Sequence, residues 1–200
     1  PDVDASVHAW LRDTLQAEGR RDAAALSNAL DGGAQAAAWA GAALAAVQAR
    51  SLPIGASAGV GLELVKTAQR GLKLYYHRAR PSEFPPDFSF PSAHTARFAF
   101  CLALLLGVVL PRLLSGGPGD EGGDRELAER GPEQAVLPWL GAFVAAWLVM
   151  GSARVLADAH WVSDTAGGAA LGVGTAALVE LLLLASAPAL EAMEQGEARK

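Results

Sequence analysis

Apolar and polar positions alternate along the chain with the period of an α-helix, and strand-like alternation never continues for more than a few residues. Within residues 1–31, charged side chains are mixed with apolar ones at helical spacing: Val7, Trp10, Leu11 and Leu15. This mixture is typical of an amphipathic helix, and Gly32–Gly33 predict a break after it. The pattern as a whole predicts an all-α fold.

Two more helices are indicated by the Ala-rich segment 34–48 and by the segment 54–76. Three later segments are more strongly apolar: 98–114, 136–150 and 166–187. The second of these carries no charged residue, and the third carries only Glu180. Because a helix that crosses the hydrocarbon core needs about 20 residues, with a range of about 17–25, these three segments are candidate membrane spans.

A soluble bundle with buried Ala-rich and Leu-rich helices is the alternative, because such helices also occur in large cores. However, the runs 104–106 and 181–184 consist only of leucine and direct it to every side of their helices. A chain of 200 residues forms one domain, in which few positions are buried on all sides. We therefore predict a helical bundle embedded in a membrane, an integral membrane protein in contact with lipids.

The polar segments predict how this bundle is divided. Residues 115–134 combine many glycines with two prolines and with charges of both signs, a composition typical of a flexible polar loop. The predicted organisation is an amphipathic N-terminal segment at 1–33, the helical bundle at 34–190 with this loop inside it, and a polar tail at 191–200.

Composition and charge narrow the function. The chain is 52% hydrophobic and 18% charged, which excludes a disordered protein. Its net charge of -5 argues against a nucleic-acid partner, because binding to a phosphate backbone needs a basic surface. Against this acidic average, the stretch 66–80 carries five Lys or Arg residues and no acidic one. A local anion-binding site explains this basic stretch in an acidic protein better than a basic face of the whole protein does.

Three clusters of polar residues lie at the edges of the apolar helices, so we predict a site at helix ends. In the first cluster, Lys73 and Arg80, which is followed by Pro81, are seven positions apart. Seven positions are two helical turns, so both side chains are expected on one helix face, where they can hold one anion. The alternative is a membrane-interface or helix-dipole role for basic residues at a helix end.

The second cluster is the run Pro91-Ser92-Ala93-His94, just before the apolar segment at 98–114. Ser92 is expected to cap that helix, which leaves the amides of the first turn free to bind an anion. His94 would then lie beside the anion. A capping serine next to a surface histidine is the alternative.

The third cluster places His160 and Asp164 four positions apart, after Arg154. If this stretch is helical, the carboxylate accepts a hydrogen bond from one imidazole nitrogen and leaves the other as a nucleophile or base. A partial metal site is the alternative, but it requires further His, Cys or carboxylate ligands. The sequence therefore predicts neither a metal nor another cofactor.

The three clusters, in this order, closely resemble the three-part signature of the type 2 phosphatidic acid phosphatase superfamily. Their patterns are Lys-x6-Arg-Pro, Pro-Ser-Ala-His and Arg-x5-His-x3-Asp. That superfamily includes membrane lipid phosphatases, soluble acid phosphatases and vanadium-dependent haloperoxidases. The resemblance implies that phosphate oxygens are bound by Lys73, Arg80, Ser92, the amide of Ala93, and Arg154. It also implies that His94 is the general acid and that His160, oriented by Asp164, is the nucleophile.

The chain departs from the family signature at two positions. Ala93 replaces the usual glycine, and Ala153 stands where a serine commonly precedes Arg154. Alanine retains its backbone N–H but is unfavourable at positive φ. Because neither change removes a charge or a proton-transferring group, we expect an active enzyme.

The resemblance and the apolar helices together predict a metal-independent membrane phosphatase. Its expected substrate is a lipid or polyprenyl (isoprenoid) phosphate or diphosphate, hydrolysed through a phosphohistidine intermediate. Two alternatives remain open on the sequence: a soluble acid phosphatase or vanadium-dependent haloperoxidase of the same superfamily, and a membrane protein that binds lipid phosphates without turnover.

Overall fold

The computed structural model describes residues 2–15, 17–49, 51–82, 87–114 and 132–197. Seven α-helices occupy these residues: α1 (Val3–Thr14), α2 (Ala17–Ala49), α3 (Leu52–Tyr76), α4 (Ala93–Leu104), α5 (Leu110–Leu114), α6 (Pro132–Leu156) and α7 (Val162–Glu197). A π-helical stretch, Leu105–Val109, joins α4 to α5. No strand occurs in these described ranges, and the prediction of an all-α fold is confirmed.

The N-terminal region differs from its prediction. The first helix ends at Thr14, and α2 then runs without interruption through Gly32–Gly33. The predicted break at these glycines is therefore wrong, and the predicted boundary between 33 and 34 falls inside a helix. A glycine costs about 1 kcal/mol in a helix interior, and the burial of Ala38 and Ala42 against the core offsets that cost.

The core lies where α2, α3, α4 and α7 meet. Phe100 of α4 packs against Gly61 of α3 so closely that a Cβ at that glycine would lie 2.1 Å from the ring. Between α4 and α7 the two backbones themselves are in close contact, because a Cβ at Gly172 would lie 2.3 Å from the carbonyl oxygen of Ala96. Small residues at such a helix interface let the two backbones approach each other.

Large apolar side chains remain exposed on the outer helices, among them Leu148 on α6 and Leu178, Leu181, Leu182 and Leu184 on α7. Two helical stretches are long and apolar enough to cross a membrane, Ala93–Leu113 and Val162–Ser186, and a third apolar stretch, Leu140–Leu156, is shorter. A soluble bundle buries such side chains, whereas lipid solvates them. The outer surface thus has the composition expected of a membrane-embedded bundle.

The predicted loop at 115–134 falls largely outside the described residues, and its last three residues, 132–134, begin α6. The predicted tail at 191–200 continues α7 as far as Glu197. The helix expected from residue 98 already begins at Ala93. The division into a bundle at 34–190 with flanking segments stays a prediction.

Candidate active site

Four helix ends meet at the candidate site. Lys73 lies in the last turn of α3, and Ala93 is the first residue of α4. Arg154 lies in the last turn of α6, and Asp164 lies in the first turn of α7. The backbone N–H of Ser92 donates to the carbonyl oxygen of Asp164 at 3.0 Å, which fixes the start of α4 against the start of α7. The expectation of a site at helix ends is confirmed.

Lys73 and Arg80 converge on one oxygen atom. The Lys73 Nζ donates to Oδ2 of Asp87 at 2.6 Å, and the Arg80 Nη2 donates to the same oxygen at 3.0 Å. The carboxylate of Asp87 thus marks a position where two cations meet an anion. Burial lowers the pKa of the Asp87-bound Lys73 ammonium. Burial also raises the pKa of Asp87, but Lys73 and Arg80 outweigh this effect and leave it below its ordinary value.

The sequence predicts that Lys73 and Arg80 converge, but the reason given for it, a shared helix face, is wrong. Lys73 and Arg80 do not share a helix face, because α3 ends at Tyr76 and His77 adopts a left-handed backbone with φ 47°. The backbone N–H of His77 donates to the carbonyl oxygen of Lys73 at 3.1 Å, which closes the helix. Arg80 therefore reaches Asp87 from a loop, and its Nη1 also donates to the carbonyl oxygen of Ala159 at 3.0 Å.

Ser92 is the N-cap residue of α4, as its sequence context predicts. Its Oγ accepts from the backbone N–H of Thr95 at 3.5 Å and from the Thr95 hydroxyl at 3.0 Å. Ala93 begins the helix with α-helical backbone geometry. Its replacement of glycine therefore introduces no strain, since this position does not need a positive φ.

His94 faces a carboxylate that the sequence pattern does not reveal. Its Nε2 lies 3.9 Å from Oδ2 of Asp31 on α2, and Arg97 donates to the same carboxylate from its Nε at 3.1 Å. His94 also lies near enough to Arg154, Arg80 and His160 for electrostatic interaction. The fold thus places His94 of the second cluster near Arg80 of the first cluster and near Arg154 and His160 of the third cluster.

Arg154 is buried, with 7% of its surface exposed. Its Nη1 donates to Oγ of Ser27 on α2 at 3.1 Å, and its buried Nε has no hydrogen-bond partner in the described ranges. Among these residues no carboxylate forms a hydrogen bond or ion pair with Arg154, and Asp31 acts on it only at longer range. A buried guanidinium without a carboxylate partner is costly unless an anion binds to it.

His160 is almost completely buried, and its Nδ1 lies 3.0 Å from the carbonyl oxygen of Ser89. Oδ2 of Asp164 lies 3.5 Å from the same nitrogen. Because a carbonyl oxygen can only accept, Nδ1 carries the proton and Nε2 keeps its lone pair. Burial lowers the pKa of His160 to about 4, although Asp164 acts in the opposite direction. The imidazole is therefore neutral at neutral pH.

Asp164 is held by two further groups. The backbone N–H of Trp161 donates to Oδ2 at 2.9 Å, and the Arg78 Nη1 donates to Oδ1 at 2.8 Å. This segment precedes α7, which begins at Val162, so His160 and Asp164 are not on consecutive turns of one helix. Their contact depends on the loop that leads into the helix.

The structure adds residues that the sequence patterns do not single out as site residues: Asp4, His8, Ser27, Asp31, Arg78, Asp87 and Ser89. Two local signals exist for them: Arg78 belongs to the basic stretch 66–80, and polar residues have i, i+4 spacing in Asp4 and His8 and in Ser27 and Asp31. Ser89 contributes its backbone carbonyl, which no side-chain pattern reports. In the parts of the chain that the structure describes, no group of three or more His, Cys, Asp or Glu residues is placed to hold a metal ion.

The fold and the site define a class of protein: an apolar helical bundle whose helix ends hold cations around a buried, neutral histidine. Residues 54–186 match the sequence model of the PAP2 superfamily. The chain belongs to this superfamily, whose members are generally phosphatases.

A similar fold is found in a solved structure, the "crystal structure of the first transmembrane PAP2 type phosphatidylglycerolphosphate phosphatase from Bacillus subtilis". The two chains are 18% identical and superpose with a TM-score of 0.66, over 90% of this chain and 83% of the other. At this level of identity the similarity shows the fold alone. No curated protein matches the chain.

Proposed function

We propose that the protein is an integral-membrane phosphatase that hydrolyses a lipid or polyprenyl phosphate or diphosphate through a phosphohistidine intermediate. The observation that carries this proposal is the burial of Arg154, close to a neutral His160, with no carboxylate partner among the residues that the structure describes. A phosphoryl group supplies the missing anion and places an electrophile beside a nucleophile. Phosphoryl transfer requires this combination of charge neutralisation and positioning.

In the first step, phosphate oxygens are bound by Lys73, Arg80, Ser92, the Ala93 amide and Arg154. The lone pair on Nε2 of His160 attacks phosphorus, and the bond from phosphorus to the leaving oxygen breaks. His94 donates its proton to that oxygen. Nδ1–H of His160 remains bonded to the Ser89 carbonyl, and the negative charge of Asp164 stabilises the positive charge that develops on the ring.

In the second step, water attacks the phosphohistidine while His94 accepts one of its protons. The N–P bond breaks, its electron pair returns to Nε2, and inorganic phosphate leaves. Three cations and the amides at the start of α4 neutralise the phosphate charge throughout, so we propose that the reaction proceeds without a metal ion.

Two observations support a membrane lipid as the substrate. Leucine side chains on the outer faces of α6 and α7 are exposed, and the candidate active site lies at the ends of the apolar helices. A bundle inserted in a bilayer presents helix ends at the headgroup layer, where the phosphate of a lipid lies. The Bacillus subtilis neighbour, described as a phosphatidylglycerolphosphate phosphatase, is consistent with this substrate class.

The test is phosphate release in detergent from four substrates: phosphatidic acid, phosphatidylglycerol phosphate, a polyprenyl diphosphate and p-nitrophenyl phosphate. We expect the lipid substrates to react and His160→Ala to abolish turnover. His77→Asn is the matched control, because asparagine tolerates the left-handed backbone of that exposed histidine. Full activity of His160→Ala contradicts the covalent mechanism, and recovery without detergent, with activity on the soluble substrate only, favours the acid phosphatase alternative.

Metal independence and the phosphate geometry have a separate test. EDTA should leave the rate nearly unchanged, and vanadate should inhibit competitively, because it can adopt the trigonal-bipyramidal geometry of the transferring phosphoryl group. Loss of activity in EDTA with recovery in magnesium, together with indifference to vanadate, contradicts the assembled phosphate site.

A further inference from the structure

Helix α1 buries polar residues against the candidate active site. Asp4, His8 and Leu11 lie on one face, at i, i+4 and i+7, and are 8%, 3% and 6% exposed. Two of these three buried side chains are polar, which is unusual for a helix that packs only for stability. This helix precedes the segment 54–186 that matches the superfamily, so the motifs do not account for these contacts.

Asp4 connects to His160 through Arg78. The Arg78 Nη2 donates to Oδ2 of Asp4 at 2.7 Å, and its Nη1 donates to Oδ1 of Asp164 at 2.8 Å. Asp4 also accepts the backbone N–H of Ser163 at 3.2 Å and the Ser163 hydroxyl. One guanidinium therefore bridges two carboxylates, of which Asp164 contacts the ring of His160.

The charges of Asp4, Arg78 and Asp164 together affect the imidazole of His160. Arg78 alone would neutralise Asp164 and weaken its attraction for the positive charge that develops on the ring. Asp4 supplies a second negative charge, so that the group of three retains a net charge of -1. Burial raises the pKa of Asp4, but the hydrogen bonds from Ser163 and Arg78 outweigh it and leave the pKa below its ordinary value. Asp4 is therefore ionised at neutral pH.

His8 holds the other side of the same loop. Its Nε2 lies 3.0 Å from the carbonyl oxygen of His160, and its Nδ1 lies 3.0 Å from Oδ1 of Asp158. Its ring also packs edge-on against Trp161, with 4.8 Å between centroids. The contacts of α1 thus include the residues on both sides of His160 and the backbone of His160 itself.

We infer that Asp4 and His8 are positioning residues for the proposed phosphatase, through which α1 holds the loop of His160 and preserves the effective charge of Asp164. This inference rests on the proposed function. Neither residue touches the phosphate site: Asp4 acts through Arg78 and Ser163, and His8 acts through the backbone of His160 and through Asp158.

The test compares Asp4→Asn with Asp13→Asn, which removes the same charge from an exposed position on the same helix. Partners that orient a metal-ligating histidine contribute about 10- to 100-fold, and we expect an effect of the same order for a nucleophilic histidine. Because Asp4 acts through Arg78, we expect the lower end of that range, about a tenfold loss of kcat with KM unchanged. Asp13→Asn should retain the activity of the unmodified protein, and Asp4→Glu, which keeps the carboxylate, should recover most of the loss.

Calorimetric binding of two anions gives a readout that does not depend on turnover. Vanadate can be bound through His160, whereas inorganic phosphate needs only the cations and amides. Asp4→Asn should therefore bind vanadate about tenfold more weakly and phosphate with unchanged affinity. His8→Ala should show the same selective loss.

The two proposals fail in different ways. If the unmodified protein binds vanadate but releases phosphate from no substrate, the proposed function fails, while the anion comparison still tests the positioning role. If Asp4→Asn weakens phosphate and vanadate equally, or behaves like Asp13→Asn, the positioning role is overturned. Should Asp4→Asn fail to fold, His8→Ala and Ser163→Ala replace it. Ser163→Ala removes the hydroxyl that donates to Asp4 and accepts from Arg78, and unchanged vanadate binding in both variants overturns the proposal.

Discussion

The candidate active site has two sides that are built differently. On the nucleophile side, His160 and Asp164 are almost completely inaccessible, and their partners include backbone atoms of Ser89 and Trp161. On the anion side, Lys73 and Arg80 meet the side chain of Asp87, which is 56% exposed. One side is held by buried contacts that solvent does not reach, and the other by a carboxylate in contact with water.

In the proposed mechanism, this difference corresponds to what each side has to do. An attacking atom must be held near its reacting position, because a misplacement of 1 Å can cost about 100-fold in rate. A phosphate-binding side must exchange its anion in every turnover, and the exposed carboxylate of Asp87 can move into water while Lys73 and Arg80 stay largely buried. The carboxylate of Asp87 is thus a replaceable counterion, whereas the carboxylate of Asp164 is a fixed one.

The start of α4 is hydrogen-bonded to the start of α7, which carries Asp164, and the largest expected effect comes from separating these two helices. In Gly172→Ala the new Cβ would lie 2.3 Å from the carbonyl oxygen of Ala96 and 2.7 Å from the backbone N of Phe100. Backbone atoms cannot rotate away, so we expect a loss of about 3 kcal/mol or more of stability and loss of both anion binding and turnover. Thermal unfolding in detergent measures the loss of stability.

Gly174→Ala is the matched control on the same helix, because no atom lies within 4 Å of its added Cβ. It should be neutral or more stable by up to about 1 kcal/mol, since alanine favours helix more than glycine does. Equal stability of the two variants would contradict the close packing of α4 on α7.

The next largest effect is expected from the fixed carboxylate. Replacing the aspartate of a catalytic triad by asparagine costs about 10⁴-fold, mainly because the histidine adopts the wrong tautomer. In this protein the Ser89 carbonyl keeps the proton on Nδ1 even without Asp164, so we expect Asp164→Asn to lower kcat by about 100-fold. Single-turnover kinetics measures this step, and a loss as large as that of His160→Ala would mean that the carbonyl does not hold the tautomer.

The buried environment of His160 should be visible in the pH profile. His160 must be neutral to attack, and burial lowers its pKa to about 4. Below that pH the imidazole is protonated, so kcat/KM should fall as the pH decreases through about 4. A decline on the alkaline side of the profile would report the pKa of the group that donates the proton to the leaving oxygen. An acid limb near pH 6.5, the ordinary range of histidine, would show that the nucleophile is solvated.

The smallest effect is expected from the replaceable counterion. Asp87→Asn removes the anion that competes with phosphate for Lys73 and Arg80. Because Asp87 is more than half exposed whereas Lys73 and Arg80 are largely buried, we take the upper value for exposed pairs, about 1 kcal/mol or about fivefold in a binding constant. Inorganic phosphate should then inhibit at about fivefold lower concentration. Weaker inhibition by phosphate would instead make Asp87 part of the phosphate-binding structure.

Several features of the fold were predictable because their cause is local. Continuous apolar stretches fixed the approximate positions of α4, α6 and α7, and Ser92 before such a stretch predicted the cap. Gly32–Gly33 misled the prediction because helix propensity is a weak local preference that the packing of Ala38 and Ala42 overrides. Turn signals predict helix ends less well when neighbouring helices bury the segment.

The candidate site likewise has features that the sequence predicts and features that it does not predict. Residue type and spacing were sufficient to single out the candidate residues, because their chemistry is carried by side chains. These residues are Lys73, Arg80, Ser92, His94, Arg154, His160 and Asp164. The convergence of Lys73 and Arg80 was predicted for the wrong reason, since a left-handed residue and a loop, rather than one helix face, bring them to Asp87.

The sequence by itself determined the all-α class and the family and was enough to predict the charged residues of the candidate site, because hydrophobic period and residue type are properties of short segments. Only the tertiary structure decided what holds those residues. The Ser89 carbonyl has no side-chain signature, and the contacts of Asp4 with Arg78 and of Ser27 with Arg154 join positions 74 and 127 residues apart. Such contacts exist only after the helices have packed, because packing alone determines which polar groups are buried together.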